Sequence, residues 1–171
     1  MPDEPALEKV VLRDAEGVIT EEASMRGGVL EGETVLYSRG RMTARILFRG
    51  GRQHGESIFY DEAGRMTTKA QYQDGRMHGD VSHFDQWGRV LRKSIFRDGQ
   101  LNGRTIDYYS SGKPREVSTY KDNLLEGETL RLDEEGKILE RRYFHQGRER
   151  RPPAAKPGAS SLGPPKSGIP K

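Results

Sequence analysis

The chain has 171 residues, about one domain's worth, and only 32% of them are hydrophobic while 21 are glycine. Such a chain cannot fill a thick core, so the composition points to a thin structure with little core per unit length, or to partial disorder. There is no cysteine, which excludes disulfides, thiolate metal sites and cysteine nucleophiles. The net charge is +3, unevenly spread: residues 1–36 hold nine acids against three bases, and residues 37–151 hold 23 bases against 17 acids.

Residues 1–9 read as an N-terminal extension with no apolar leader, and no later run reaches the length of a membrane helix. The expected location is therefore the cytoplasm. A half copy of a repeat follows at about Val10 to Gly27. Full copies of about 24 residues are expected at 28–50, 51–74, 75–98, 99–122 and 123–146, making an array over 10–149. Three columns define the unit. The first glycine is Gly32, Gly55, Gly79, Gly103 or Gly127, and the second is Gly40, Gly64, Gly88, Gly112 or Gly136. Eight residues after the second glycine stands Phe48, Tyr72, Phe96, Tyr120 or Phe144.

Each copy reads as a β-hairpin. In the 51–74 copy, Glu56 to Tyr60 is a strand and Asp61-Glu62-Ala63-Gly64 a turn. The alternating run after it places Met66, Thr68, Ala70 and Tyr72 on one face and Arg65, Thr67, Lys69 and Gln71 on the other. Asp74-Gly75 then closes a second turn. A lone hairpin is marginal in water, so the copies must pair edge to edge. The expected fold is all-β: an elongated, single-layer antiparallel sheet of stacked hairpins. Pro114 is expected to weaken its strand, because it lacks an N–H. The tail, 150–171, is rich in proline, glycine and lysine and is expected to be disordered.

Two candidate surfaces follow from the columns. One is an apolar ladder of Phe48, Tyr72, Phe96 and Tyr120, backed by Met42, Met66 and Val90, proposed as a partner-binding face. The other is a basic row of Arg45, Lys69, Lys93 and Arg141 on the opposite face, interrupted at Val117. Nucleic-acid binding is not expected, because stacking rings and charges should share a face and these do not. His54 and His78 share a column with Glu31, Asn102 and Glu126, which reads as a polar loop position. Asp61, Asp85 and Asp133 share a turn column that suits a side-chain-capped turn better than catalysis. No metal spacing, phosphate loop or nucleophile motif emerges, so no cofactor and no enzymatic activity are expected.

The columns resemble the MORN repeat superfamily, and more closely the bacterial MORN-variant repeats of YwqK-type proteins. The matching residues are the G-x-x-x-G segments (Gly51/Gly55, Gly75/Gly79, Gly99/Gly103), the tyrosine or phenylalanine before the turn, and the closing aromatic followed by Asp-Gly. The segment Tyr60-Asp61-x-x-Gly64-Arg65-Met66-Thr67 also looks like the YD repeats of Rhs shells, which need many more copies to close. The YwqK-type resemblance implies an antitoxin or immunity protein that binds a cognate toxin or effector. The alternative is a structural scaffold at a membrane surface, using the basic stretch and tail on acidic lipid. The Tyr-Glu-Gly-Glu-Trp opening of the eukaryotic MORN form is absent, so that form's lipid-binding role transfers poorly.

Overall fold

The structure, a computed structural model, describes residues 5–152; the expected tail lies almost wholly outside them. In chain order the strands are β1 (Leu7–Arg13), β2 (Ile19–Arg26), β3 (Val29–Ser38), β4 (Arg41–Arg49), β5 (Arg52–Tyr60), β6 (Met66–Gln73) and β7 (Arg76–Phe84). They continue as β8 (Val90–Arg97), β9 (Gln100–Tyr108), β10 (Pro114–Lys121), β11 (Leu124–Leu125), β12 (Gly127–Leu132), β13 (Ile138–His145) and β14 (Arg148–Arg150). All belong to one open antiparallel sheet in which spatial order follows chain order. The short β11 pairs only with β10, and β12 takes over that edge after Glu126. The described strands run from Leu7 to Arg150. Pro114 opens β10, a position where a missing N–H is tolerated.

Two kinds of turn alternate. Within four of the hairpins the chain turns through Asp-x-x-Gly, while β9–β10 uses Tyr109-Ser110-Ser111-Gly112 and β3–β4 the two-residue turn Arg39-Gly40. Asp61 Oδ1 accepts from the N–H groups of Ala63 and Arg65 at 2.9 and 3.0 Å, and Asp85 does the same for Trp87 and Arg89. Asp14 and Asp133 repeat the arrangement, which is the side-chain-capped turn the column suggested. Between hairpins the turns have two residues, both with positive φ, as at Asp74 (50°) and Gly75 (83°). That geometry matches the twist of the flanking strands. The second turn residue also reaches the preceding repeat: Gly75 N–H donates to the Gln53 carbonyl at 2.8 Å and Gly99 N–H to the Met77 carbonyl at 2.8 Å. Adjacent repeats are therefore stitched at the turns as well as along the strands.

The Asp61 turn carries a pH prediction. The Arg65 N–H, then the Arg65 guanidinium and the Ala63 N–H, hold the Asp61 carboxyl below its ordinary range. A carboxylate with a lowered folded pKa stabilises fully above its unfolded pKa of about 3.9 and loses that contribution as pH falls through the folded value. Wild type is expected to be more stable than Asp61→Asn at neutral pH, with the gap closing in acid below about pH 4. Urea midpoints of both proteins across pH check this; a gap that widens in acid would contradict it.

The core is a line, not a layer. Directly paired residues Ala23, Thr34, Ile46, Ser57, Ala70, Val81, Ser94, Thr105 and Ser118 run across the sheet from β2 to β10. All are buried, with exposures from 0% at Ser57 to 6% at Ile46. Small residues fit here because larger side chains from the same face lean over them on either side. A second cluster, Val117, Leu130 and Leu132 with Ile106 against it, lies on the other face near the C-terminal end. A core this thin explains how a chain with so little apolar content folds.

Candidate interaction surfaces

Antiparallel partners share a face, so the registers sort side chains into two faces. The first face carries the small-residue line. On one side of that line stand Phe48, Tyr72, Phe96 and Tyr120, all half-buried. Each ring lies across from a glycine of its own hairpin, as Phe48 from Gly32, Tyr72 from Gly55, Phe96 from Gly79 and Tyr120 from Gly103. On its other flank each meets a residue of the next repeat: Gln53, Met77, Leu101 or Leu125. The rings therefore stand in register between a glycine of their own hairpin and a residue of the next repeat. On the other side of the line runs a charged row containing His83, Arg92, Asp107, Glu116 and Arg131. Arg92 and Asp107 form a bidentate pair at 2.6 and 2.9 Å. Burial, and then Arg92, hold the His83 pKa down, which favours its neutral form.

The structure corrects one expectation. Met42, Met66 and Val90 do not back the aromatic ladder. Each hairpin has a one-residue bulge just after its turn: Phe59 pairs with Thr68 but Tyr60 with Met66, leaving Thr67 extra. The same shift occurs at Thr43 and Leu91. One inserted residue breaks the period-2 alternation. Met42, Met66 and Val90 consequently face Tyr37, Tyr60 and Phe84. These belong to the second face, where the Tyr37 hydroxyl donates to Glu22 at 3.1 Å.

The basic row also lies on that second face, opposite the rings. It is not a bare cationic stripe. Arg45, Lys69 and Lys93 alternate across the sheet with Val35, Ile58, Ser82 and Ile106, and Val117 falls in the aliphatic cluster. Arg45 is ion-paired with Glu33, Lys69 with Glu56 at 2.8 Å, and Arg141 with Glu128. The glutamate directly after the first glycine supplies the partner in each case. Around these pairs the face exposes Leu47 37% and Ile95 40%, and the bulge residues Leu91 46% and Leu139 52% are exposed where the alternation between faces breaks. A shallow groove of about 360 Å³ continues the same face at the N-terminal end, lined by Lys9, Val11, Glu22, Glu33 and Val35 among others. The more open apolar surface is therefore this one and not the aromatic face. The sequence holds only a broken signal for it: the residue before the column aromatic is Leu47 or Ile95 in two copies but Gln71, Thr119 and Tyr143 in the others, and the bulge residue is leucine only at Leu91 and Leu139.

The histidine column borders the turns. His54 Nδ1 lies 3.4 Å from Asp74 and His78 Nδ1 3.5 Å from Asp98. In the same column Asn102 donates to Asp122 at 3.0 Å, while Glu31 and Glu126 accept from the backbone of Gly50 and Gln146. Among the described residues, no group of three or more His, Cys, Asp or Glu side chains is placed to hold a metal ion, and no helix is long and apolar enough to cross a membrane.

A single sheet of stacked hairpins, with side chains lining both open faces, defines a repeat-built scaffold. Residues 53–74 and 101–122 each match the MORN repeat variant. These segments span all but the first two residues of the units at 51–74 and 99–122, so two of the units are similar to that repeat variant. No curated protein matches the chain. Among solved structures it is similar to a chain of the crystal structure of a GtfA/B complex bound to UDP and GlcNAc. That likeness has 17% identity and a TM-score of 0.26, covers 81% of this chain and 24% of that one, and carries no argument.

Proposed function

We propose that the protein is a non-enzymatic scaffold that binds a protein partner along its second face. The observation that carries this reading is the uncovered aliphatic side chains of Leu47 and Ile95 on this face, set among fixed ion pairs and continued by the groove at its N-terminal end. A single layer has nothing on its far side to bury these groups, so they recur as open apolar points along the ribbon that a partner lying on this face would cover. The charged pairs set orientation, since electrostatic complementarity contributes more to specificity than to raw affinity. The finer proposal is an immunity or antitoxin role toward a cognate toxin or effector, supported by the resemblance of the repeats to YwqK-type proteins.

Affinity purification from the native cell with mass spectrometry tests both levels. Recovery of one stoichiometric protein supports the scaffold reading, and a toxin-bearing protein supports the finer one. Leu47→Gln and Ile95→Gln, both exposed on this face, are expected to keep the fold within about 1 kcal/mol. Each should lower recovery of the partner by about tenfold, equivalent to ~1.4 kcal/mol of binding. Undiminished recovery by both variants would move the docking surface off this face.

A further inference from the structure

The two outermost strands of the sheet differ. β14 has three exposed residues, Arg148-Glu149-Arg150, and Pro152 follows them. A short charged edge beside a proline resists pairing with another strand. β1 has seven residues, and among the described residues only β2 pairs with it. Leu7, Val11 and Leu12 are exposed along it. A longer apolar edge of this kind is a template for a further strand.

Alternate residues of an antiparallel strand aim their N–H and C=O groups to opposite sides. Asp14 N–H donates to the Val18 carbonyl at 2.9 Å across the β1–β2 turn. Glu8, Val10 and Leu12 therefore turn their backbone groups toward β2, and those of Leu7, Lys9, Val11 and Arg13 point outward.

Three features agree on the strand that fits this edge. The first is the line of small buried residues. Val10 pairs directly with Ala23 and is the next member of that line. At the joints between hairpins from β2 to β9 the line continues residue against residue: Ala23 faces Thr34, Ile46 faces Ser57, Ala70 faces Val81 and Ser94 faces Thr105. An added strand keeps the line when its own member falls opposite Val10. The second feature is position. Val10 is the midpoint of Leu7–Arg13, so an antiparallel second β1 centred there pairs over its whole length and sets outward groups against outward groups. The third is charge. In that register Arg13 faces Leu7, Lys9 faces Val11 and Glu8 faces Leu12 of the second copy, with no like charges opposed. Sliding one strand by two residues sets Lys9 against Lys9 in one direction and Lys9 against Arg13 in the other, which is unfavourable.

We propose that β1 pairs with β1 of a second copy, giving a two-fold dimer in which one sheet runs through both chains with Val10 against Val10 on the axis. Paired antiparallel residues share a face. The second faces of the two copies therefore lie on the same side, and the N-terminal grooves, lined in part by Lys9 and Val11, meet at the axis. The dimer also brings together two segments 1–36, each with nine acids against three bases. Salt screens that repulsion and should strengthen the dimer. Joining of β1 to the more basic far end of another copy would show the opposite dependence.

The chain has no cysteine, so single cysteines report the register. In the full-length protein, Val10→Cys is expected to form a disulfide-linked dimer on air oxidation. Facing residues that share no hydrogen bond stand about 4.5 Å apart at Cα, within reach of a disulfide. Leu12→Cys should form none, because the two copies of that position lie four residues out of register, about 14 Å apart. Light scattering of wild type at rising concentration should show a mass approaching that of two chains. Val11→Lys should stay monomeric with an unchanged strand signal in circular dichroism. It sets a lysine against Lys9 of the second copy, while its partner within the hairpin, Glu22, favours the added charge. A wild type that stays monomeric, with no crosslink through Val10→Cys, overturns the proposal. Equal crosslinking by Leu12→Cys does so too, as does a dimer retained by Val11→Lys, since the copies then meet elsewhere. Species that grow beyond the dimer and dissolve in salt also overturn it and point to head-to-tail joining.

Discussion

Gly103→Ala is expected to destabilise the protein by about 3 kcal/mol, from backbone strain and a steric clash together. Gly103 has φ +135°, a conformation that L side chains rarely adopt, and a β-carbon there would stand 3.0 Å from the β-carbon of Ile95. Ile95 belongs to β8, on the preceding hairpin, and the methyl group would enter the joint between two repeats. Gly88→Ala provides the contrast. Its φ is +77°, but nothing lies within 4 Å of the added carbon, so strain alone applies and about 1 kcal/mol is expected. Urea unfolding of both variants measures the difference. Equal losses would mean that the first glycine column is required for its dihedral angle only, and that the joint between repeats is loose.

Tyr72→Ala is expected to cost about 2–3 kcal/mol, below the range for a fully buried aromatic because the ring is half-exposed. Tyr72 stands opposite Gly55 within its own hairpin and opposite Met77 in the next, so truncation opens both sides. Burial raises its phenol pKa, consistent with a ring held against the sheet. Tyr72→Phe should be nearly neutral, and Trp87→Ala, at a turn tip with 69% exposure, should change stability by less than about 0.5 kcal/mol. Measured on the same variants, partner recovery should fall only as far as the folded fraction falls. A Tyr72→Ala protein that keeps its unfolding midpoint and loses the partner would instead make the aromatic column a contact surface, and the first face the binding face.

Much of this architecture is determined by the sequence alone. Glycine and aromatic columns at a fixed spacing, Asp-Gly pairs and the lack of helical patterning suffice for stacked hairpins, because local turn chemistry and period-2 alternation are properties of neighbouring residues. The turn role of Asp61, Asp85 and Asp133 was legible for the same reason: each carboxylate caps backbone only two and four residues ahead. The small-residue line was also present, as Thr34, Ser57, Val81 and Thr105 two positions after each first glycine. Its meaning depends on which strands lie side by side.

Only the tertiary structure decided the rest, because it depends on register. A one-residue bulge at Thr43, Thr67 and Leu91 moves Met42, Met66 and Val90 to the other face, and nothing in the alternation around them announces it. Whether a cation is free or neutralised is equally invisible in one dimension. Arg45 meets Glu33 across a hairpin, twelve residues back, whereas Arg49, four residues further along the same strand, has no ion-pair partner among the described residues. The first glycine is required by a side chain of the preceding hairpin, and an aromatic stands in register opposite it. Pairing between strands brings those groups together, and the sequence specifies that pairing only through the fold as a whole.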